Sequence, residues 1–333
     1  MMMYNKMIAV LSITSLMFMS MPVSLEAAPT QAKQEAQQEN GTLKLDQIDQ
    51  EILDKLDKIY QELSGSPELQ MTWERINTGP DGLYFFMDGD GNQAQVKPQN
   101  GEVRMAHWFA KASQAEESQR LAAASAVKAL DPSWSVSFDN VQRSYNGENG
   151  KSVYYTYLSG RNIGVSLEEN KTVSIKLTYD YAKVPQNIRQ GTTQLLQALD
   201  AKTFTIKDGT WYVGQQQSSW KFTAYDKSNK KRVLFDVDGK TGKATGYHQN
   251  WNSVGSLLSI TDKKYSKFKN ENVLAVAKPL AKKVFGLDLT GYGVTRGKGD
   301  SANYFTFKKD GKPEVSGHLN EKGEFYALQI SSK

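Results

Sequence analysis

At 333 residues, with 39% hydrophobic and 11% aromatic side chains, the chain has room and apolar surface for two conventional domains or several small repeats, and it is not a disordered tract. Cysteine is absent, which excludes disulfides, thiol catalysis, thiolate metal sites and lipid attachment through an N-terminal Cys. The net charge of +5 divides unevenly, with 17 Lys/Arg against 23 Asp/Glu in residues 29–200 and 23 against 12 in residues 201–333, an asymmetry that points to an anionic partner or to one half meeting the other.

In chain order, Lys6 and the apolar run Met7–Val23, ending near Ala27-Ala28, read as a secretory signal peptide over residues 1–28. Residues 29–42 are polar, rich in Gln, Ala and Glu, and read as a disordered linker. A first module, 43–112, opens with Leu45, Ile48, Ile52, Leu56, Ile59 and Leu63, spaced three or four apart as on one helix face. Strand patterns follow at Met71–Ile76, Leu83–Met87, Ala94–Lys97 and Val103–Trp108. The second module, 113–186, sets a helix over Gln114–Leu130 before strands at Val136–Val141, Val153–Leu158, Ile163–Leu167 and Thr172–Tyr179. The third, 187–262, runs from a helix at Ile188–Leu199 through Trp211–Gln215 into Trp220–Trp251, three short strands joined by polar turns. The fourth, 263–333, places a helix near Asn272–Phe285, kinked or interrupted at Pro279, before strands at Tyr292–Arg296, Tyr304–Lys308, Glu314–Leu319 and Phe325–Ile330.

The last-hairpin turns at Gly101, Asn170, Gly242 and Gly323 lie 69, 72 and 81 residues apart. This period predicts an α+β repeat protein of tandem modules, each one helix packed on a three- to four-stranded antiparallel sheet. The helix-then-strands order, with its closing hairpin Phe235-Asp236-Val237-Asp238-Gly239-Lys240-Thr241-Gly242-Lys243, resembles the PepSY fold of peptidase propeptides and of the YpeB spore-germination protein. It is also similar to the YcdB/YcdC repeats of secreted bacterial proteins. Val96–Val103 and Leu319–Glu324 are looser copies, and the Thr-Gly pair is missing from the other three modules. The resemblance implies extracellular binding or inhibition of peptidases, or another envelope role, and it implies no catalytic residue.

Three histidines, His107, His248 and His318, are scattered, and no His-Glu-x-x-His, Gly-x-Ser-x-Gly or phosphate-loop motif occurs. His107 and His248 each follow their hairpin glycine by six residues, so they read as equivalent structural positions rather than metal ligands. Asp88-Gly89-Asp90-Gly91-Asn92 opens like a calcium loop, but Gln93 and Gln99 stand where that loop needs Gly and a bidentate Glu; a tight hairpin turn explains it. The six Trp read as core more readily than as a stacking surface. Basic residues gather at Lys227, Lys230, Lys231 and Arg232 and at Lys263, Lys264, Lys267 and Lys269, an extended cationic surface.

The expectation is thus a secreted or cell-wall-associated, non-enzymatic binding or regulatory protein without cofactor or metal. Its partner is a protein, such as a co-secreted peptidase, or an anionic wall polymer held by the basic C-terminal half. Nucleic acid is not expected, nor membrane once the signal is cleaved.

Overall fold

The computed structural model describes residues 42–331 except 80, 149, 150, 216, 252 and 254–258, and of Glu148 and Lys151 the backbone alone. The expected signal peptide, and the linker but for Thr42, lie outside the described residues. Four times a long helix precedes four strands. Helix α1 (Gln50–Ser64) leads into β2 (Arg75–Thr78), β3 (Tyr84–Met87), β4 (Gln93–Lys97) and β5 (Glu102–Lys111). Helix α2 (Glu117–Leu130) precedes β6 (Asn140–Glu148), β7 (Lys151–Gly160), β8 (Ile163–Glu168) and β9 (Lys171–Asp180). Helix α3 (Gln186–Ala198) precedes β10 (Thr205–Gly214), β11 (Ser218–Tyr225), β12 (Arg232–Asp238) and β13 (Ala244–Gln249). A short α4 (Asp262–Tyr265) and α5 (Asn270–Phe285) precede β14 (Gly293–Arg296), β15 (Tyr304–Lys308), β16 (Glu314–Leu319) and β17 (Phe325–Ser331), and β1 (Thr42–Leu43) adds to β2.

The tandem-module expectation is overturned. All seventeen strands belong to one antiparallel sheet rather than to separate small sheets. Strands that a free-standing module would leave as edges pair with the next set instead. β5 runs against β6 from Met105↔Asn146 to Lys111↔Asn140, and β9 runs against β10 from Asp180↔Asp208 to Ser174↔Gly214. At the far end β13 pairs with β17 through Tyr247↔Leu328, so the last four strands continue the sheet in reverse order, β17-β16-β15-β14. The physical reason is the cost of an open edge. Each joint satisfies a row of N–H and C=O groups that a small isolated sheet would leave to water or to a stray chain.

Local chemistry sets the helices. Asp49 caps α1 by accepting from the Glu51 amide at 3.0 Å, Gly65 ends it at φ 72°, and Ile52, Leu56, Tyr60 and Leu63 bury its apolar face. Residues 45–47 form a separate 3-10 turn, so the expected helix start at Leu45 moves to Gln50. Pro279 does not interrupt α5: it lies within the helix Asn270–Phe285. The carbonyl it leaves without a partner belongs to Ala275, itself exposed, so water can satisfy it.

All four long helices lie on one face of the sheet. Beneath α1 and α2 sits a core that includes Leu56, Leu63, Phe86, Trp108, Leu158 and Leu177. Beneath α3 and α5 sits a second, with Leu195, Trp220, Phe222, Phe235, Phe305 and Phe307. Tyr179 on β9 and Trp211 on β10, the two strands paired at that joint, pack against both.

The four closing hairpins carry the same irregularity. Arg104, Val173, Thr245 and Tyr326 are each an extra residue, since Gln95↔Met105 is followed by Val96↔Val103, Ser166↔Ser174 by Leu167↔Thr172, Asp236↔Gly246 by Val237↔Ala244, and His318↔Ala327 by Leu319↔Phe325. Such a bulge shifts the alternation by one position. Residues three apart, Val103 and Ala106, Ala244 and Tyr247, Phe325 and Leu328, are therefore all buried on the helix side.

Candidate binding face

The long helices leave the opposite face of the sheet uncovered, and three cross-strand rows show its chemistry. One cross-strand row runs Ser159, Gly164, Lys176, Tyr212, Ser219, Asp238 over β7 to β12. The next runs Thr178, Thr210, Lys221, Asp236, Gly246, Gln329, Ser316, Thr306 over β9 to β15. A third runs Thr223, Leu234, His248, Ala327, His318, Tyr304. Hydroxyls, amides and aromatic rings dominate these rows, and their only charges are Lys176, Lys221, Asp236 and Asp238. Most of the chain's charge sits instead on helix flanks and hairpin tips.

Two tyrosines lie at the centre. Tyr157, on β7, is laid across Gly164 of β8: its hydroxyl is only 2.2 Å from where a β carbon at 164 would stand. Only glycine permits that flat placement. Tyr212 carries the Lys221 ammonium 5.2 Å from its ring centroid. Across the β11–β12 pair, Lys221 opposes Asp236, whose carboxyl is raised by burial and pulled back by that lysine. Burial raises both tyrosine hydroxyls above their ordinary range, so they remain donors at neutral pH.

The three histidines do not gather into one cluster. His107, on β5, is 2.8 Å through Nδ1 from Ser144 Oγ on β6 and 3.2 Å from the Gln142 amide. His248 meets His318 instead, across the β13–β17 joint: their rings lie 5.4 and 5.8 Å from the Tyr326 ring, and Tyr304 lies 4.9 Å from His318. The Asn303 amide donates to the Tyr326 hydroxyl at 3.0 Å. Among the described residues no three His, Asp or Glu side chains are placed to hold a metal ion. The Asp88 turn is closed on itself, with Asp88 accepting from the Asp90 and Asn92 amides at 3.0 and 2.7 Å and from the Asn92 side chain at 2.6 Å.

The basic residues fall at one end of the strands. Lys227, Lys230 and Lys231 form the β11–β12 turn before Arg232; Lys263 and Lys264 are on α4, and Lys267 and Lys269 follow it. Since Val233 pairs with Gln249 and His248 with Ala327, the β11–β12 and β16–β17 tips project the same way. Part of this charge is already spent. Lys264 makes a 2.9 Å ion pair with Glu321, Lys267 donates to the Glu321 carbonyl at 2.9 Å, and Lys231 lies 6.0 Å from the Trp251 ring. All six tryptophans pack in or against the two cores.

The Tyr326 cluster and the tyrosine rows were not picked out from the sequence. The bulges hid the first, because they put Tyr326 between two strands' worth of phase. In Val153-Tyr154-Tyr155-Thr156-Tyr157 rings alternate onto both faces, so period-two hydrophobicity does not tell which side is covered.

The histidines carry a pH expectation. Burial lowers all three, with Arg232 adding to the effect on His248 and His248 to that on His318. A folded-state value below the unfolded value near ~6.5 gives stability that is complete above that pH and lost as pH falls through the folded value. Carboxylates held down by hydrogen bonds, such as Asp226 by Ser228 and Asp288 by Thr290, are lost only nearer ~4. Asp236, being raised, works in the opposite sense but is unchanged in the comparison. Urea midpoints are expected to fall between pH 7 and 5 in the parent and to stay flatter in the His107→Asn, His248→Asn, His318→Asn triple variant. Equal slopes would refute this.

Fold and face together define a class: an antiparallel-sheet protein clad in helices on one side and open, aromatic and hydroxyl-rich on the other. No protein-family model matches the chain, and no curated protein matches it. Among solved structures it is similar to a DUF2874 family protein from Bacteroides uniformis ATCC 8492, 11% identical over 44% of this chain and 99% of that one, with a TM-score of 0.26. A likeness that slight carries no argument about fold or function. Among the described residues no helix is long and apolar enough to cross a membrane.

Proposed function

We propose that the chain is an exported, non-enzymatic binding protein that takes its partner on the helix-free face of the sheet. The observation that supports this reading is the composition of that face. Tyrosine, serine, threonine and glutamine fill it, side chains that give contact area and adaptable hydrogen bonds at low entropic cost. The ladders beneath fix the register of those side chains, and such pre-organisation reduces what binding must spend on ordering. The resemblance of the Phe235–Lys243 hairpin to PepSY modules supports an extracellular or envelope setting and makes a co-secreted peptidase a candidate partner.

The test blocks one face at a time. Ser166→Arg with Thr210→Arg places two large charges on the open face; Ser125→Arg with Gln190→Arg places them on α2 and α3 instead. Capture of the partner from culture supernatant and wall fractions is expected to drop about tenfold or more in the first pair and to hold in the second, a loss on the order of 1.4 kcal/mol. Equal capture by both pairs would refute the reading. A second reading, retention by anionic wall polymers through Lys227–Arg232 and Lys263–Lys269, draws support from the shared end of the strands on which those residues lie. It would be favoured if capture fell only when those side chains were neutralised.

A further inference from the structure

We propose that the cleft at the C-terminal end of α3 is a binding pocket for a small apolar carboxylate, an aliphatic or aromatic group joined to a single carboxylate. The cleft is walled by α3 and by the chain entering β10, on the helix-bearing side of the sheet. It goes beyond the open-face reading and does not rest on it.

The turn after α3 builds this cleft. The Ala201 amide donates to the Leu196 carbonyl at 2.8 Å and the Phe204 amide to the Ala201 carbonyl at 2.9 Å, so the chain folds back over the helix end. Phe204 and Ile206, two apart as the chain becomes extended, both line the cleft, with exposed Thr205 between them. With Tyr181 they form half-buried walls above the buried Leu196. Neighbours hold these walls in place. Phe204 lies 5.4 Å from the Trp251 ring, Tyr181 stands edge-on to Phe222 at 6.1 Å, and the Tyr181 hydroxyl is bonded to Thr192. The cavity measures about 210 Å³, below the ~300–1,000 Å³ of pockets for drug-sized ligands. It suits a ligand the size of a single amino-acid residue.

The rim decides the head group. Thr193, Gln197 and Lys202 are exposed at the mouth, and among the described residues that line the cleft Lys202 alone is charged. No described side chain pairs with its ammonium or with the Gln197 amide. Charges just outside offset one another: Asp200 meets Lys283 at 3.9 Å, Asp180 meets Lys183 at 3.8 Å, and Lys207 adjoins Asp208 in sequence. The carbonyls that end α3, at Leu195, Leu196 and Gln197, each accept a backbone amide, so the helix end brings no loose acceptor to the rim. Arg189, on the same helix stripe as Thr193 and Gln197, and Lys231, 6.0 Å from the Trp251 ring, add only positive charge. One ammonium and one amide above an apolar floor match one carboxylate on an apolar body. A cationic ligand finds no carboxylate on this lining, and a polyphosphate finds too few donors.

The experiment titrates the full chain with N-acetyl-leucine, N-acetyl-leucinamide and 4-methylpentanoate, with affinities read by saturation-transfer NMR. N-acetyl-leucine is expected to bind about fivefold tighter than its amide, the scale of an ion pair at an exposed rim. Lys202→Gln is expected to bring N-acetyl-leucine down to the level of the amide and to leave amide binding unchanged. Thr193→Trp, which fills the mouth from the exposed side of α3, is expected to abolish binding of all three. Urea midpoints like the parent's show that both variants fold. 4-Methylpentanoate within about twofold of N-acetyl-leucine assigns the pocket to free carboxylic acids, and much weaker binding assigns it to peptide C-termini; either result supports the site. Equal affinity for acid and amide, acid binding unchanged in Lys202→Gln, or no saturable binding of any of the three to the parent would overturn it.

Discussion

Replacing Gly191 by alanine is expected to destabilise the protein by about 2–3 kcal/mol, against the sign that helix propensity alone requires. Gly191 is an interior residue of α3, where alanine is ordinarily better than glycine by about 1 kcal/mol. Here the helix backbone rests directly on the turn between β12 and β13. A β carbon on residue 191 would stand 1.9 Å from the Gly242 carbonyl oxygen and 3.1 Å from its carbon. Those are backbone atoms and cannot swing aside. Gly242 itself holds φ at 70°, and a β carbon there would meet the Asn187 carbonyl at 2.8 Å, so the contact is tight from both sides. The helix must lift, opening the core around Ile188, Leu195, Phe235 and Val237. Urea unfolding of Gly191→Ala checks this, and a variant more stable than the parent would contradict it.

A comparable loss is expected at Tyr60, where two substitutions separate ring from hydroxyl. Tyr60 is fully buried, its ring edge-on to Trp73 at 5.4 Å, and its hydroxyl donates to the Gln93 carbonyl at 2.6 Å with the His107 carbonyl at 3.2 Å. These residues oppose each other on β4 and β5, so α1 is pinned to the first closing hairpin by a side chain. Burial, with Asp88 in second place, drives the hydroxyl well above its ordinary range, so it is a donor at neutral pH. Tyr60→Phe is expected to cost about 1–2 kcal/mol, the loss of a hydrogen bond to a buried acceptor. Tyr60→Ala is expected to cost about 3–5 kcal/mol, because the cavity adds to the transfer loss. Thermal or urea unfolding of the two variants reads both. Costs within error of each other would mean that the hydroxyl, not the ring, carries the contact.

What could be read in advance, and what could not, follows from the range of the interactions. Helices were legible where one stripe of apolar residues is buried, as at Ile52, Leu56 and Leu63, because that pattern is local. Strands with clean alternation, such as Val233, Phe235 and Val237, were legible for the same reason. The segment Met71–Ile76 read as strand but only its last two residues belong to β2, and Val136 and Phe138 alternate while sitting ahead of β6; Met71, Trp73, Val136 and Phe138 pack apolar side chains before the strand pairing begins at Arg75 and Asn140. The joints were invisible. Nothing local in Met105–Lys111 says whether its outer edge meets water or Asn140–Asn146. That choice depends on the free energy of leaving the edge open, which is set by the whole assembly. It is also why tandem small sheets were expected and one sheet is found. The open face stayed hidden because its tyrosines, at Tyr155, Tyr157 and Tyr212, look like core aromatics until the helices are seen to lie on the other side. His107 and His248 do fall at matching places, each three residues after the bulge of its closing hairpin, but only His248 lies near the end of its strand, since β5 runs on to Lys111. The encounter of His248 with His318 depends on β13 pairing β17 rather than β14, and no spacing in the chain announces that.

One measurement bears on the continuous sheet most directly: amide hydrogen exchange, read residue by residue, at the three joints. The ladder bonds of β5–β6, β9–β10 and β13–β17 are internal to the sheet in this account, not edges. Their amides, at Met105–Lys111, Ser174–Asp180 and Gly246–His248, are predicted to exchange as slowly as those of β7–β8 and β11–β12. Fast exchange confined to these three segments, of the kind that frayed or open edges show, would contradict the single sheet and return the chain to separate modules.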